Sequence, residues 1–362
     1  MGGAISIVGT KKIVLLKMVK NLKLNIVAGF AAILLMASCN NNEKLLDALA
    51  DYNTSKEAKG YHFGDELEFP KEITDQIETM MISFGDKESS NLVIDPKFFT
   101  LGDNNVVFVI KTKNGETLNQ DATINVFAKN PEQNISYKVV ADYPHDPNNF
   151  IEGFLLEGDT VYESDGLTEA SQLIKYTLGS TVPSVIKKQP ADIFSEGCAI
   201  VGDKIYQLTY RNKIGFIYNK NTLEKLSEFP LPNAIAEGWG LTYDGKNLVA
   251  TDGSKNLYFL DVNEPSKVVK TVAVAGYTEV YDKLNELEYH NGFIYSNIWY
   301  KPVILKINPL TGEVVGTFDF TQLTKENDQG DSEHVLNGIA FKGENMLVTG
   351  KNWPKIYEVQ FK

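Results

Sequence analysis

Five times in this chain a polar pair, usually an acid or amide followed by glycine, opens a short apolar run that ends in a turn. The pairs are Glu152-Gly153, Glu196-Gly197, Glu237-Gly238, Asn285-Glu286 and Asn337-Gly338. Behind each comes a Gly/Asp/Asn turn, an aromatic-rich strand and then further strand. Strand-built repeats of roughly 40–50 residues point to a propeller, because one such unit cannot bury its faces alone and must pack against its neighbours. The polar pairs would then meet at one end of a central shaft, where a carboxylate is the first candidate for chemistry.

The second strand of each unit reads Val161–Ser164, Ile205–Tyr210, Leu248–Thr251, Phe293–Asn297 and Met346–Thr349. The fifth unit is short, ending with Lys355–Val359. Its missing outer strand is expected at Ile135–Val140, so that both ends of the repeat region pair within one blade and no edge stays open. The expected fold is therefore all-β, a five-bladed β-propeller over residues 134–362. It is preceded at 61–133 by a small immunoglobulin-like β-sandwich, since Val106–Ile110 and Ala122–Phe127 flank a Lys113-Asn114-Gly115 hairpin signal.

The first 38 residues carry five Lys and no acid, and an apolar run from Ile26 to Met36 ends in Ala37-Ser38-Cys39. A basic head, a short apolar run and small residues at its end make a secretory signal over 1–38, too short for a membrane span. Leu35–Cys39 resembles a bacterial lipobox, which implies lipidation of Cys39 and a lipoprotein held on the cell envelope; a plain cleaved signal is the other reading. Met18 is the better initiator. Residues 39–60, polar and charged, read as a flexible tether.

Net charge is −12, and without the leader 30 basic residues face 47 acidic ones. That balance argues against nucleic acid, which demands a basic footprint. Arg211 is the only arginine, so bidentate guanidinium clamps are scarce. The four histidines, His62, His145, His290 and His334, show no metal-ligand spacing. P-loop, nucleophile-elbow and zinc-hydrolase patterns are all missing.

Several strings, taken in order, are similar to one family. They begin with His145-Asp146-Pro147 with Phe150, Tyr162-Glu163-Ser164, Phe194-x-Glu196-Gly197 and Tyr206-Gln207-Leu208-Thr209. They continue with Glu237-Gly238-Trp239-Gly240-Leu241, Asp252-Gly253-Ser254, Leu284-Asn285-Glu286-Leu287-Glu288 and Asn297-Ile298-Trp299. Val335–Ala340 and Thr349–Pro354 complete the set. Over residues 137–362 the chain resembles the plant and bacterial glutamine cyclotransferases. The resemblance implies a five-bladed propeller that converts N-terminal glutamine of peptides or proteins to pyroglutamate with loss of ammonia.

That reaction needs a group that takes a proton from the attacking amine and gives one to the departing nitrogen, which a single carboxyl can do. The resemblance assigns this to Glu196, and oxyanion donors to Asn285 and Lys351. It makes Phe150, Phe194, Trp239 and Trp299 an aromatic lining, with Tyr210 where the family commonly has Trp and Glu152 where it usually has Gln. Glu152 beside Glu196 would raise one of the two pKa values. Each position also has a plainer reading: solvated turn, strand cap, surface lysine or packing between blades, the last favoured for Trp353. No cofactor is required. Glu237 and Glu286 raise the alternative of a Ca²⁺ ion in the central channel, oxygen ligands suiting that ion. A monomer is expected. The competing function is a non-catalytic envelope propeller that binds peptides or glycans.

Overall fold

The structure, a computed structural model, describes residues 41–56, 59–328, 330 and 332–362. The signal segment 1–38 and the lipidation candidate Cys39 lie outside the described residues. Among the described residues no helix is long and apolar enough to cross a membrane.

The chain divides into two compact units. Of the described residues, one holds those from 41 to 59 with 66–93 and 105–124, and the other holds those of 60–65, 94–104 and 125–362. The expected tether is instead largely helical, over residues 41–56. Leu45, Leu49 and Tyr52, spaced to share one face, are buried. Tyr52 meets Phe69 at 4.7 Å between ring centres, and Phe69 meets Phe108 edge-on at 5.5 Å. The polar composition hid this apolar stripe. The Asn-Gly hairpin does form, joining Gly102–Thr112 to Thr117–Phe127. The strands of the leading region make one sheet, in the order Tyr61–His62, Thr117–Phe127, Gly102–Thr112, Ile77–Phe84, Lys87–Ser89. A sandwich needs two facing sheets. Here the helix covers an apolar sheet face in place of the second.

Five sheets of four antiparallel strands fill the larger unit, the strands consecutive in the chain in the first four, and the fourth sheet carries a short added edge strand, Gln133–Asn134. Their innermost strands are Ile151–Glu157, Ser195–Val201, Leu241–Tyr243, Leu284–His290 and Leu336–Lys342. Each innermost strand packs beside those of two neighbouring sheets, and the fifth returns to the first. The hydrophobic cores follow the same cycle. One joins Leu155 and Leu173 of the first sheet to Cys198 and Ile205 of the second. Another joins Ile151 and Phe154 of the first sheet to Leu347 and Ile356 of the fifth. Every sheet thus buries both faces against its neighbours, which explains the apolar runs along the inner strands. The fifth sheet takes its outer strand, Tyr137–Pro144, from just before the first sheet, paired antiparallel with Lys355–Phe361.

The recurring polar pairs have a structural meaning beyond a strand start. In four inner strands the pairing with the second strand slips at the pair: between Ile151 and Gly153, Ser195 and Cys198, Leu284 and Leu287, and Leu336 and Ile339. A β-bulge there re-aims a side chain that strict alternation would bury between sheets. Glycine is demanded by close approach. A Cβ at Gly197 would lie 2.4 Å from the Leu241 nitrogen, and one at Gly240 would lie 2.0 Å from the Asn285 carbonyl oxygen.

Candidate active site

Antiparallel pairing brings the start of each inner strand beside the end of its second strand, as in Ser195 opposite Thr209, Leu284 opposite Ile298 and Leu336 opposite Gly350. The residues that follow those second strands are Tyr210, Trp299 and Lys351. They therefore meet Phe150 and Glu152, Phe194 and Glu196, Trp239, and Asn285, which come from the inner-strand starts. All nine line one cavity of about 190 Å³, joined by Glu333. Every one of the five sheets contributes at least one residue.

The cavity has a buried polar floor and an aromatic wall. Glu152, Glu196, Asn285 and Lys351 are each no more than 5% exposed, with Phe150 beside them. Phe194, Tyr210, Trp239, Trp299 and Glu333 are half-buried and form the rim. Trp239 and Trp299 meet edge-to-face at 5.4 Å, as Phe150 and Phe194 do at 6.3 Å. Such a wall keeps water out while leaving a polar floor open to a small polar group.

On the floor Lys351 Nζ donates to Glu152 Oε1 at 2.6 Å and lies 4.4 Å from the centre of the Phe150 ring. Asn337 Nδ2 donates to Glu152 Oε2 at 3.2 Å and to the Ile151 carbonyl at 2.8 Å. Burial pushes the Glu152 carboxyl up from its ordinary value, while the Lys351 ammonium and then the Asn337 amide pull it back. Glu196 is placed differently. Its backbone carbonyl accepts from Ser164 Oγ at 2.5 Å, while its carboxylate hydrogen-bonds to none of the described residues. Burial holds that carboxyl well above the usual range, the Glu152 charge adds to the rise and Lys351 opposes it. The like-charge effect expected from the sequence is real but second to desolvation. The Asn285 side-chain amide is likewise unengaged by the described residues, so floor acid and floor amide both face the cavity.

Residues 108–361 of the chain match the family model described as glutamine cyclotransferase. The chain belongs to the glutamine cyclotransferase family. It is 34% identical over 232 residues to the glutaminyl-peptide cyclotransferase of Arabidopsis thaliana, covering 62% of this chain and 71% of that one. It is also similar to the crystal structure of Myxococcus xanthus glutaminyl cyclase, with a TM-score of 0.58 and 32% identity over 64% of this chain and 98% of that one.

Two residues weighed for a cation site in this cyclotransferase fall elsewhere. Glu237 accepts from Arg211 Nε at 2.7 Å and from Trp239 Nε1 at 3.2 Å, outside the floor. Glu286 is buried on the opposite side of its strand, accepting the backbone N–H of Ile339 at 2.9 Å and of Phe154 at 3.4 Å. It ties three inner strands together, and burial raises its pKa well above normal. Among the described residues no group of three or more His, Cys, Asp or Glu side chains could hold a metal ion. These two carboxylates are engaged with other partners among the described residues. Trp353 is packing as expected, fully buried with its indole N–H on the His334 carbonyl at 3.1 Å. Glu333 went unrecognised in the sequence. It lies in a loop with no periodicity, and its only mark was an acid four residues ahead of Asn337.

Proposed function

We propose that this glutaminyl-peptide cyclotransferase closes N-terminal glutamine to pyroglutamate with Glu196 as the proton carrier. The observation that carries the assignment is the buried Glu196 carboxylate, hydrogen-bonded by none of the described residues, on the floor of an aromatic cavity beside Asn285 and the Glu152–Lys351 ion pair. The α-amine nitrogen attacks the γ-amide carbon of its own side chain, forming the ring N–C bond. Glu196, ionised, takes a proton from that nitrogen and passes it to the departing amide nitrogen. The C–N bond then breaks and ammonia leaves, with Glu196 ionised again. A carboxyl whose pKa burial raises above its ordinary value is a better proton acceptor when ionised, and it can still return the proton to the departing nitrogen. Asn285 and Lys351 stabilise the oxyanion on the γ-carbon. The rim rings enclose the glutaminyl side chain and exclude water.

We read the closed cycle of five sheets as a five-bladed propeller, supported by the cyclic order of inner strands and cores. The lipobox-like Leu35–Cys39 supports attachment to a bacterial envelope membrane through a lipid on Cys39, with a monomeric enzyme. The test of the catalytic assignment is ammonia release from a Gln-initiated dipeptide. Glu196→Gln is expected to lower turnover by about 100-fold or more with little change in melting temperature. Turnover close to wild type would remove Glu196 from the chemistry. Absence of release from the wild-type protein, where a control cyclase works, would favour the non-catalytic binding reading.

A further inference from the structure

Lys351 and Asn352 form the turn between Asn345–Gly350 and Lys355–Phe361, closed by the Trp353 N–H on the Gly350 carbonyl at 3.1 Å. Asn352 holds φ at +59°, in the left-handed region that asparagine and glycine accept most readily. Hydrogen bonds staple this turn to the segment that leads into Phe150 and Glu152. The Asn352 N–H donates to the Asn149 carbonyl and its side-chain amide to the Pro147 carbonyl, each at 2.9 Å. The His145 N–H donates to the Pro354 carbonyl at 2.9 Å. His145 Nδ1 donates to the Trp353 carbonyl at 2.6 Å, since a carbonyl can only accept. The other ring nitrogen faces Glu163, whose carboxylate oxygens lie 3.1 and 3.2 Å from it. Glu163 also accepts from the Tyr176 hydroxyl at 2.7 Å, and the side chains of His145 and Glu163 are fully buried.

His145 and Glu163 lie outside the lining of the cavity. The turn and the stapled segment nevertheless deliver Lys351 and Glu152 into it, where they meet at 2.6 Å. We propose that His145, helped by Asn352, is a positioning residue for the reaction: it fixes the turn so that the Lys351 ammonium stands over Phe150 and against Glu152, within reach of the oxyanion. This rests on the cyclotransferase reading above, in which Lys351 stabilises that oxyanion. A lysine stem is flexible, so the place of its ammonium depends on how its backbone is anchored. Histidine suits the task because its two ring nitrogens bond two partners at once, one on the turn and one on the first sheet. A misplacement of about 1 Å at a catalytic group costs a large factor in rate.

The experiment takes pH–rate profiles of ammonia release from a Gln-initiated dipeptide in wild type, His145→Gln, Asn352→Gly and Lys351→Met. His145→Gln keeps a donor toward Glu163 and removes the one on the Trp353 carbonyl. Asn352→Gly keeps the left-handed turn and removes only the amide staple, so it carries the test alone if His145→Gln does not fold. Both are expected to lower kcat by about five- to tenfold with KM nearly unchanged, because an oxyanion contact acts in the transition state. Lys351→Met should be slower still. Burial and the Glu152 charge raise the Glu196 pKa, Lys351 lowers it and Glu237 adds to the rise. A displaced Lys351 therefore moves the acid limb of kcat/KM to higher pH in both variants. A merely structural role would lower the rate at every pH and leave the limb in place, which overturns the proposal. Wild-type kcat in every variant that folds overturns it as well. Wild-type turnover in Lys351→Met removes Lys351 from the chemistry and the proposal with it, while leaving Glu196 in its role. Failure of the wild-type protein to release ammonia, where a control cyclase works, brings down the cyclotransferase reading itself.

Discussion

Glu152 and Glu196 are two glutamates at equivalent bulges of neighbouring sheets, yet their surroundings give them different work. Glu152 is held by Lys351 and Asn337, while the Glu196 carboxylate faces the cavity with no hydrogen bond from the described residues and only the more distant Lys351 charge in its favour. Replacing Glu152 by glutamine, the residue the family usually carries there, removes a like charge from beside Glu196 and frees the Lys351 charge to act on it. Both changes lower the Glu196 pKa. A base works only when ionised, so activity falls as pH drops through that pKa. The acid limb of kcat/KM in Glu152→Gln is therefore expected to move to lower pH, read from a pH–rate profile. An unmoved limb would mean that Glu196 is not the titrating group. The motif pointed to both residues, but their separate roles come from Lys351, which is 199 positions away from Glu152 in the chain.

At the scale of strands, the Glu-Gly signature proves to be a bulge with a tight crossing. The bulge turns an acid or amide into the cavity, and the adjoining glycine lets inner strands converge without side chains between them. The third sheet departs from the pattern. Its inner strand starts at Leu241, so Glu237 precedes the ladder and is displaced to the rim, where Arg211 pairs with it. The repeat could be read from the sequence, but the displacement could not, because Glu237-Gly238 looks like Glu196-Gly197. Gly240→Ala tests the crossing, since a Cβ there would lie 2.0 Å from the Asn285 carbonyl oxygen. It is expected to cost about 1–3 kcal/mol, seen as a lowered melting temperature, and to depress ammonia release by shifting Asn285.

For the molecule as a whole, the larger unit is closed by its own chain ends. Tyr137–Pro144 pairs with Lys355–Phe361, and a buried clasp fastens that sheet to the first. His145 Nδ1 lies 2.6 Å from the Trp353 carbonyl, and its Nε2 lies 3.1 Å from Glu163. Burial opposes a charge on His145, yet Glu163 outweighs it and the His145 pKa is raised. A ring fastened this way holds pocket residues from all five sheets on a rigid frame. Where that frame resides is a separate property, which the proposed lipid anchor assigns to the leader. Cys39→Ser is expected to release the protein from the membrane fraction into the soluble one while leaving cyclisation of a Gln-initiated dipeptide intact. Unchanged membrane association would exclude the lipid anchor.

From the amino-acid order came the all-β class and the fivefold repeat, because repeats are local patterns, while the nine residues that gather in the cavity were marked out through the resemblance of its strings to the family. Tertiary contact decided the rest. It engaged Lys351 with Glu152, left the Glu196 carboxylate without a hydrogen bond from the described residues, engaged Glu237 and Glu286 with other partners, brought Glu333 to the rim and laid a helix where a tether was expected. Each of these depends on which distant groups end up within a few ångströms, and spacing along the chain does not encode that.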